Sequence, residues 1–201
     1  MILLKKAILK AASDGTIVFS GDLKKAINPN SINVTLGEYL ECYEPIKLVE
    51  TKLGLMVVPA KKESCDIILD CASENRTYRV KIPRDGLILS PELFYLGYTV
   101  EKGGSSSFVP MYEGRSSLAR LGLVSHFSAG FGDIGFESQW TLEIAVKLPL
   151  KVYSGMAIGQ IYFMEGTPIA GAEADILPED LYIGKYSEQS GVQPSKLHED
   201  F

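Results

Sequence analysis

Residues 114–143 read GRSSLARLGLVSHFSAGFGDIGFESQWTLE. Within this stretch a fixed-order set of polar groups, Arg115, Ser116, Ser117, Arg120, Asp133 and Glu143, is interleaved with glycines and strand-forming apolar residues. A solvated ion-pair surface rarely carries so much glycine and β-branched core, so the pattern points to a binding site. Arginine and two serines directly after Gly114 offer an anion a guanidinium fork, two hydroxyls and backbone N–H groups. Ten residues separate Asp133 from Glu143, enough for a bend and most of a strand. Such a set suits gripping a polyphosphate, a sugar hydroxyl and a reacting base at once.

Working outward, the chain reads as mostly β. Residues 1–13 place Ile2, Leu3, Ala7, Ile8 and Ala11 at helical spacing with lysines between them, which predicts a short amphipathic helix, and a further helical turn fits Asp22–Ile27. Strand-like runs follow at Ile32–Leu36, Leu55–Val58, Ile67–Leu69, Tyr78–Ile82, Gly86–Leu89, Phe94–Thr99 and Phe108–Tyr112, punctuated by Gly54, Pro59, Pro83 and Pro91. Lys102–Ser107, rich in glycine and serine, reads as a long hairpin loop, and Ser116–Leu121 as one helical turn. Strands resume at Trp140–Val146, Leu150–Val152 and Ala157–Met164. Many short strands without an internal repeat indicate a barrel or jelly-roll-like β fold.

Composition sets the limits. A chain of 201 residues holds one domain with a sizeable core, and 46% hydrophobic with 22% charged residues is ordinary for a globular protein. The net charge of −5 argues against a surface that coats nucleic acid, so a triphosphate would need local basic residues and a cation. Three unpatterned cysteines, Cys42, Cys65 and Cys71, read as reduced thiols in a cytoplasmic setting. No apolar run approaches membrane-spanning length. Residues 178–201, with Pro178, Gly184, Gly191 and Pro194, lack periodicity and read as a mobile tail.

GRSSLARLGL, then His126-x-Ser-Ala-Gly-x-x-Asp133-x-Gly-Phe136, then Thr141-Leu142-Glu143-Ile144, resembles the dCTP deaminase family of the trimeric dUTPase-like superfamily. Ser31-Ile-Asn33-Val-Thr-Leu-Gly37 is similar to the family's early strand, where Asp is more usual than Asn33, and Tyr182 to Gly191 resembles the tail that closes over the nucleotide. Residues 42–80 carry little of this signal. The resemblance implies a mainly β, dUTPase-like distorted barrel (jelly-roll-like) with short N-terminal helices and a C-terminal lid. Residues 1–201 would form one domain and 178–201 its nucleotide-closing segment. It further implies a homotrimer with sites between subunits, Mg²⁺ carried by the triphosphate, and no partnership with nucleic acid or membrane.

Roles follow from chemistry and resemblance together. Most nucleobase deaminases take their water from zinc through His-x-Glu and Pro-Cys-x-x-Cys, a signature this chain lacks. The expected mechanism is therefore zinc-free, with Glu143 on an apolar strand as general base, where desolvation would raise its proton affinity. Ser116, Arg120 and the carbonyl of Ala129 resemble the groups that hold the catalytic water. Arg115 and Ser117 resemble phosphate ligands, joined by Tyr182, Lys185 and Gln189 from the tail. Asp133 matches the residue that binds the sugar 3′-hydroxyl, and Phe136 the aromatic beside the deoxyribose. Thr141 and Leu142 belong to the substrate-binding set, and the amide of Gln160 can pair with the cytosine edge. His126 reads as structural and Trp140 as packing. Gly132, in place of a branched residue, is expected to loosen the bend that carries Asp133.

Three functions remain open at this point. The first is dCTP deamination to dUTP and ammonia, supplying the precursor of dTTP, with dTTP as an inhibitor. The alternative is a bifunctional enzyme that also splits the triphosphate to dUMP and pyrophosphate. Ala129-Gly130-Phe131 and Gly135-Phe136 look closer to dUMP-forming members than the Ala-His-Arg version of monofunctional ones. The third is a non-catalytic nucleotide-sensing module on the same fold.

Overall fold

The computed structural model describes residues 1–60, 67–166, 184–187 and 190–201. Helix α1 (Lys5–Ser13) buries Ile8 and Ala11 while its lysines stay outside. A single turn, α2 (Leu23–Ala26), is capped by Asp22, whose carboxylate accepts from the Lys25 N–H.

The remainder is strands: β1 (Ile17–Phe19), β2 (Ile32–Thr35), β3 (Tyr39–Cys42), β4 (Ile46–Thr51), β5 (Gly54–Pro59), β6 (Tyr78–Lys81), β7 (Leu87–Leu89), β8 (Tyr95–Ser105), β9 (Val109–Gly114), β10 (Leu123–Val124), β11 (Glu137–Val146), β12 (Leu150–Val152) and β13 (Ala157–Met164). The turn α3 (Ser116–Ala119) separates β9 from β10. They form three sheets, ordered β10-β11-β8-β3-β6 with β1 also on β8, then β12-β7-β5-β4, then β2-β13-β9. Among the described residues all strand pairings are antiparallel except β5 with β7. The sheets enclose one apolar core that includes Leu36, Leu40, Tyr95, Leu142, Ile144, Ile158, Ile161 and Phe163. This is the mainly β class expected from the sequence. No helix among the described residues is long and apolar enough to cross a membrane.

Several local expectations need correction. Ile67–Leu69 is not a strand, and the segment Lys102–Ser105 is no loop: β8 continues through it, pairing with β1 on one side and β11 on the other. The glycines belong to the strand because their neighbours press close: a Cβ on Gly103 would meet the Ile161 side chain at 2.6 Å, and at Gly104 a neighbouring backbone leaves no room for a side chain. A Cβ on Gly104 would lie 1.7 Å from the Phe136 carbonyl oxygen. Gly104→Ala is therefore expected to destabilise the fold by about 3 kcal/mol, the upper end for overpacking, read as a lowered thermal midpoint. A midpoint unchanged within a degree would refute that reading.

Cys42 is a buried free thiol, pushed up to about 12 by burial and two nearby glutamates, and Cys71 is an exposed free thiol. Cys65 lies outside the described residues.

Candidate active site

Burial alternates along β11, so Ser138, Trp140, Leu142, Ile144 and Val146 enter the core while Gln139, Thr141 and Glu143 line the other face. Glu143 stands in register with Leu96 of β8, and its Oε2 accepts a hydrogen bond from the Phe127 N–H at 2.8 Å. Leu142, placed in the substrate set from sequence, is fully buried in the core, because it stands on the inward row of β11.

The loop that follows β10 is stapled to β9. Tyr112 N–H donates to the Gly130 carbonyl (2.7 Å) and Gly132 N–H to that of Pro110 (2.9 Å), which presents Ala129 and Asp133 beside β11. Gly132 does not loosen this bend. A Cβ there would meet Trp140 at 2.7 Å and Pro110 at 3.0 Å, so glycine permits tight packing. Phe136 packs edge-on against Trp140 at 5.1 Å, and the indole N–H of Trp140 donates to Gly103, which makes Trp140 a packing residue as expected.

These elements border a cavity of about 410 Å³ lined by Glu143, Thr141, Asp133, Phe136 and Ala129 together with Tyr43, Tyr186, Gln193 and Ser195. The sequence reading missed the last four. Tyr43 lies in the stretch with little family signal, and nothing in the tail's composition marked Tyr186, Gln193 or Ser195. The tail reaches the cavity by running along the exposed row of β11. Gly191 N–H donates to Gln139 (2.7 Å), Gln193 N–H to Thr141 (3.2 Å) and Ser195 N–H to the Tyr43 hydroxyl (3.2 Å). Val192 is buried between these contacts.

A second concavity of about 260 Å³ holds Arg115, Ser116, Ser117 and Gln160 with Asn28, Ser31 and Asn33. Arg115 caps α3, whose Arg120 N–H bonds the Ser116 carbonyl, so the serines sit on a tight turn with Arg120 exposed at its end. Gln160 of β13 pairs with Asn33 of β2, which puts its amide in this donor-rich cradle and away from the Glu143 cavity. Within one chain, then, the expected site divides in two. The base and sugar candidates share one cavity, the anion candidates the other, and Ser116 and Arg120 do not border the cavity of Glu143.

His126 contacts Glu113 through Nε2 (3.2 Å), lies edge-on to Tyr112, and precedes the residue that bonds Glu143. Lys185 Nζ is engaged by Asp200 and the Lys196 carbonyl, and borders neither concavity. Tyr182 and Gln189 lie outside the described residues.

A family model described as dCTP deaminase-like matches residues 2–166. A protein of Clostridium beijerinckii named dCTP deaminase, dUMP-forming, is 44% identical over 203 residues, covering 100% of this chain and 99% of that one. One of the same name from Leptospira biflexa is 39% identical over 201 residues, covering 100% and 98%. Among solved structures, the 2′-deoxycytidine 5′-triphosphate deaminase of Agrobacterium tumefaciens aligns with a TM-score of 0.57 at 18% identity, over 82% of this chain. This chain spans only 48% of that one, and the likeness bears on fold alone.

Proposed function

The chain belongs to the dCTP deaminase-like family, and from that premise we propose that it is a dCTP deaminase of the dUMP-forming kind. It would take dCTP and two waters to dUMP, ammonia and pyrophosphate. The observation that carries the finer reading is full-length similarity to relatives named for that product. Their name reverses the order reached from sequence, where release of dUTP stood first.

In the proposed mechanism the cytosine enters the cavity beside Thr141, Phe136 flanks the deoxyribose, and Asp133 accepts from its 3′-hydroxyl. Glu143 takes a proton from water as the oxygen attacks C4 and passes it to the ring nitrogen; the proton of the new C4 hydroxyl then moves through Glu143 to the amino group, which leaves as ammonia as the C4 carbonyl forms. A second water attacks the α-phosphorus and expels pyrophosphate. Arg115, Ser117 and Gln160 are donors suited to phosphate oxygens, and magnesium would be held by those phosphates and screen their charge. The reading needs no zinc, in keeping with the absence of the zinc-deaminase signature from the sequence.

Because the base cavity and the anion cradle are separate on one chain, the reading requires a second copy to bring its cradle to the first copy's Glu143. Ser116 and Arg120 of that copy would then hold the attacking water beside the Ala129 carbonyl. Phe127, Phe131 and Leu121, which are 59%, 61% and 56% exposed around the cavity and α3, supply apolar surface for such a contact. A homotrimer is the assembly we propose, in the cytoplasm, with dTTP as the candidate inhibitor.

The test is product analysis with purified protein and dCTP. The expected result is equal accumulation of dUMP, pyrophosphate and ammonia without free dUTP. Accumulating dUTP would support the monofunctional reading, and unaltered dCTP would refute deamination.

The tail contributes a further expectation. Removing residues 184–201 deletes Gln193 and Ser195 from the cavity wall and the three bonds to Gln139, Thr141 and Tyr43. With that wall of the cavity opened to water, kcat/KM should fall by roughly tenfold or more. The β sheets should survive, as circular dichroism would report. Normal kinetics in the folded truncation would sink the closing role.

A further inference from the structure

Gln160, the amide of the cradle that stands on β13, has two chemically opposite edges. Its NH₂ donates and its oxygen accepts, the edges have nearly the same shape, and a half-turn exchanges them. Against a polyphosphate the difference matters, because an acceptor oxygen facing phosphate oxygens repels where NH₂ would bind.

The surroundings of β2 and β13 fix which edge is used. Ser31 is 5% exposed, and its hydroxyl donates to Gln160 Oε1 at 2.8 Å. Asn28 Nδ2 donates to Ser31 Oγ at 3.2 Å and to Asn33 Oδ1 at 3.0 Å, while Asn33 Nδ2 returns a bond to Asn28 Oδ1 at 3.4 Å. A hydroxyl has a single hydrogen. With Asn28 occupying an acceptor site of Ser31, that hydrogen is directed at Gln160. The relay Asn28 to Ser31 to Gln160 therefore holds the glutamine oxygen, and the NH₂ edge is what remains for the concavity shared with Arg115, Ser116 and Ser117.

We infer that Ser31, oriented by Asn28, is a positioning residue that turns the donor edge of Gln160 toward the phosphate chain of the nucleotide, so that Gln160 offers the phosphates an N–H and not an oxygen. The inference rests on the dCTP reading above. It also gives Asn33 a role. An amide there both accepts from and donates to Asn28, whereas a carboxylate could only accept, so the reciprocal pair that steadies Asn28 depends on asparagine at this position.

The experiment is steady-state kinetics with dCTP on Ser31→Ala, Ser31→Thr, Gln160→Ala and the double variant Ser31→Ala/Gln160→Ala, with thermal melts as folding controls. Ser31→Ala should raise KM for dCTP about tenfold, one hydrogen bond's share of binding, with kcat within about twofold. Ser31→Thr, which keeps the hydroxyl, should restore KM. The double variant should be no worse than Gln160→Ala, because a relay acting through Gln160 has nothing left to act on. An unchanged KM in Ser31→Ala, equal damage in the alanine and threonine variants, or losses that add in the double variant would each overturn the inference. Should Ser31→Ala fail to fold, Asn28→Ala removes the donor to Ser31, leaves Gln160 in place, and is judged by the same KM rise. Wild-type protein that leaves dCTP untouched defeats the parent reading, whereas active wild type with an indifferent Ser31→Ala defeats this inference alone.

Discussion

Replacing Glu143 with glutamine is expected to lower dCTP deamination by roughly 10²–10⁴-fold, the range general-base catalysis contributes. Nucleotide affinity should stay near its original value. The amide keeps the shape of the carboxylate and still offers an oxygen to the Phe127 N–H, which the wild-type carboxylate accepts at 2.8 Å, so the loop before Asp133 should hold its place. What is lost is the capacity to take a proton from water. Single-turnover deamination and binding of unreacted dCTP separate the two effects. Turnover near the wild-type rate would remove Glu143 from the mechanism. Equal loss of binding and turnover would make it a structural residue of the cavity.

The second large effect is expected from Arg115→Ala. A guanidinium that forks onto phosphate oxygens contributes about 1.5–3 kcal/mol, so kcat/KM for dCTP should fall by roughly 10–10²-fold. The loss should depend on the length of the phosphate chain and be smallest for dCMP binding, where fewer phosphate oxygens remain to be held. Arg115 is only partly buried and caps a short turn without a side-chain capping bond, so its removal should leave the thermal midpoint almost unchanged. A variant that binds dCTP and dCMP with equal losses would place Arg115 away from the phosphates.

Much of the cavity around Glu143 was legible in the sequence because β11 alternates. Once Trp140, Leu142 and Ile144 are taken as inward, Thr141 and Glu143 must face the other way, and the structure shows that row. The turn after Gly114 was equally legible, since Arg-Ser-Ser on a turn has few other uses. Strand β3 was hidden by its own chemistry. Glu41, on the face opposite the buried Leu40 and Cys42, is buried as well and held by Thr77 at 2.6 Å and Arg79 at 2.8 Å, so a short strand covered on both faces carries only two apolar core residues to mark it. The end of β8 was hidden by composition, for a Gly-Gly-Ser run signals a loop unless a neighbouring strand is known to press against it.

The division of the site could not be read from residue spacing. Arg115 and Glu143 are close in sequence and chemically complementary, which invites placing them around one ligand. Only the sheets show that β9 and β13 carry the cradle on a different face from β11. The tail was also misjudged in composition alone. Its N–H groups at Gly191 and Gln193 meet Gln139 and Thr141, two residues apart on β11, before Ser195 crosses to Tyr43, a strand-like step that a sequence rich in glycine, proline and serine does not advertise.

The central claim is that Glu143 of one subunit works with Arg115, Ser116 and Ser117 of another. Glu143→Gln and Arg115→Ala chains, each impaired alone, should therefore complement when co-expressed with different tags and purified as mixed oligomers. With random assembly, about a quarter of the sites would pair an intact cavity with an intact cradle, and activity should recover to roughly that fraction of wild type. Mixed oligomers no more active than the two variants assayed separately would contradict a shared site and return both halves to a single chain.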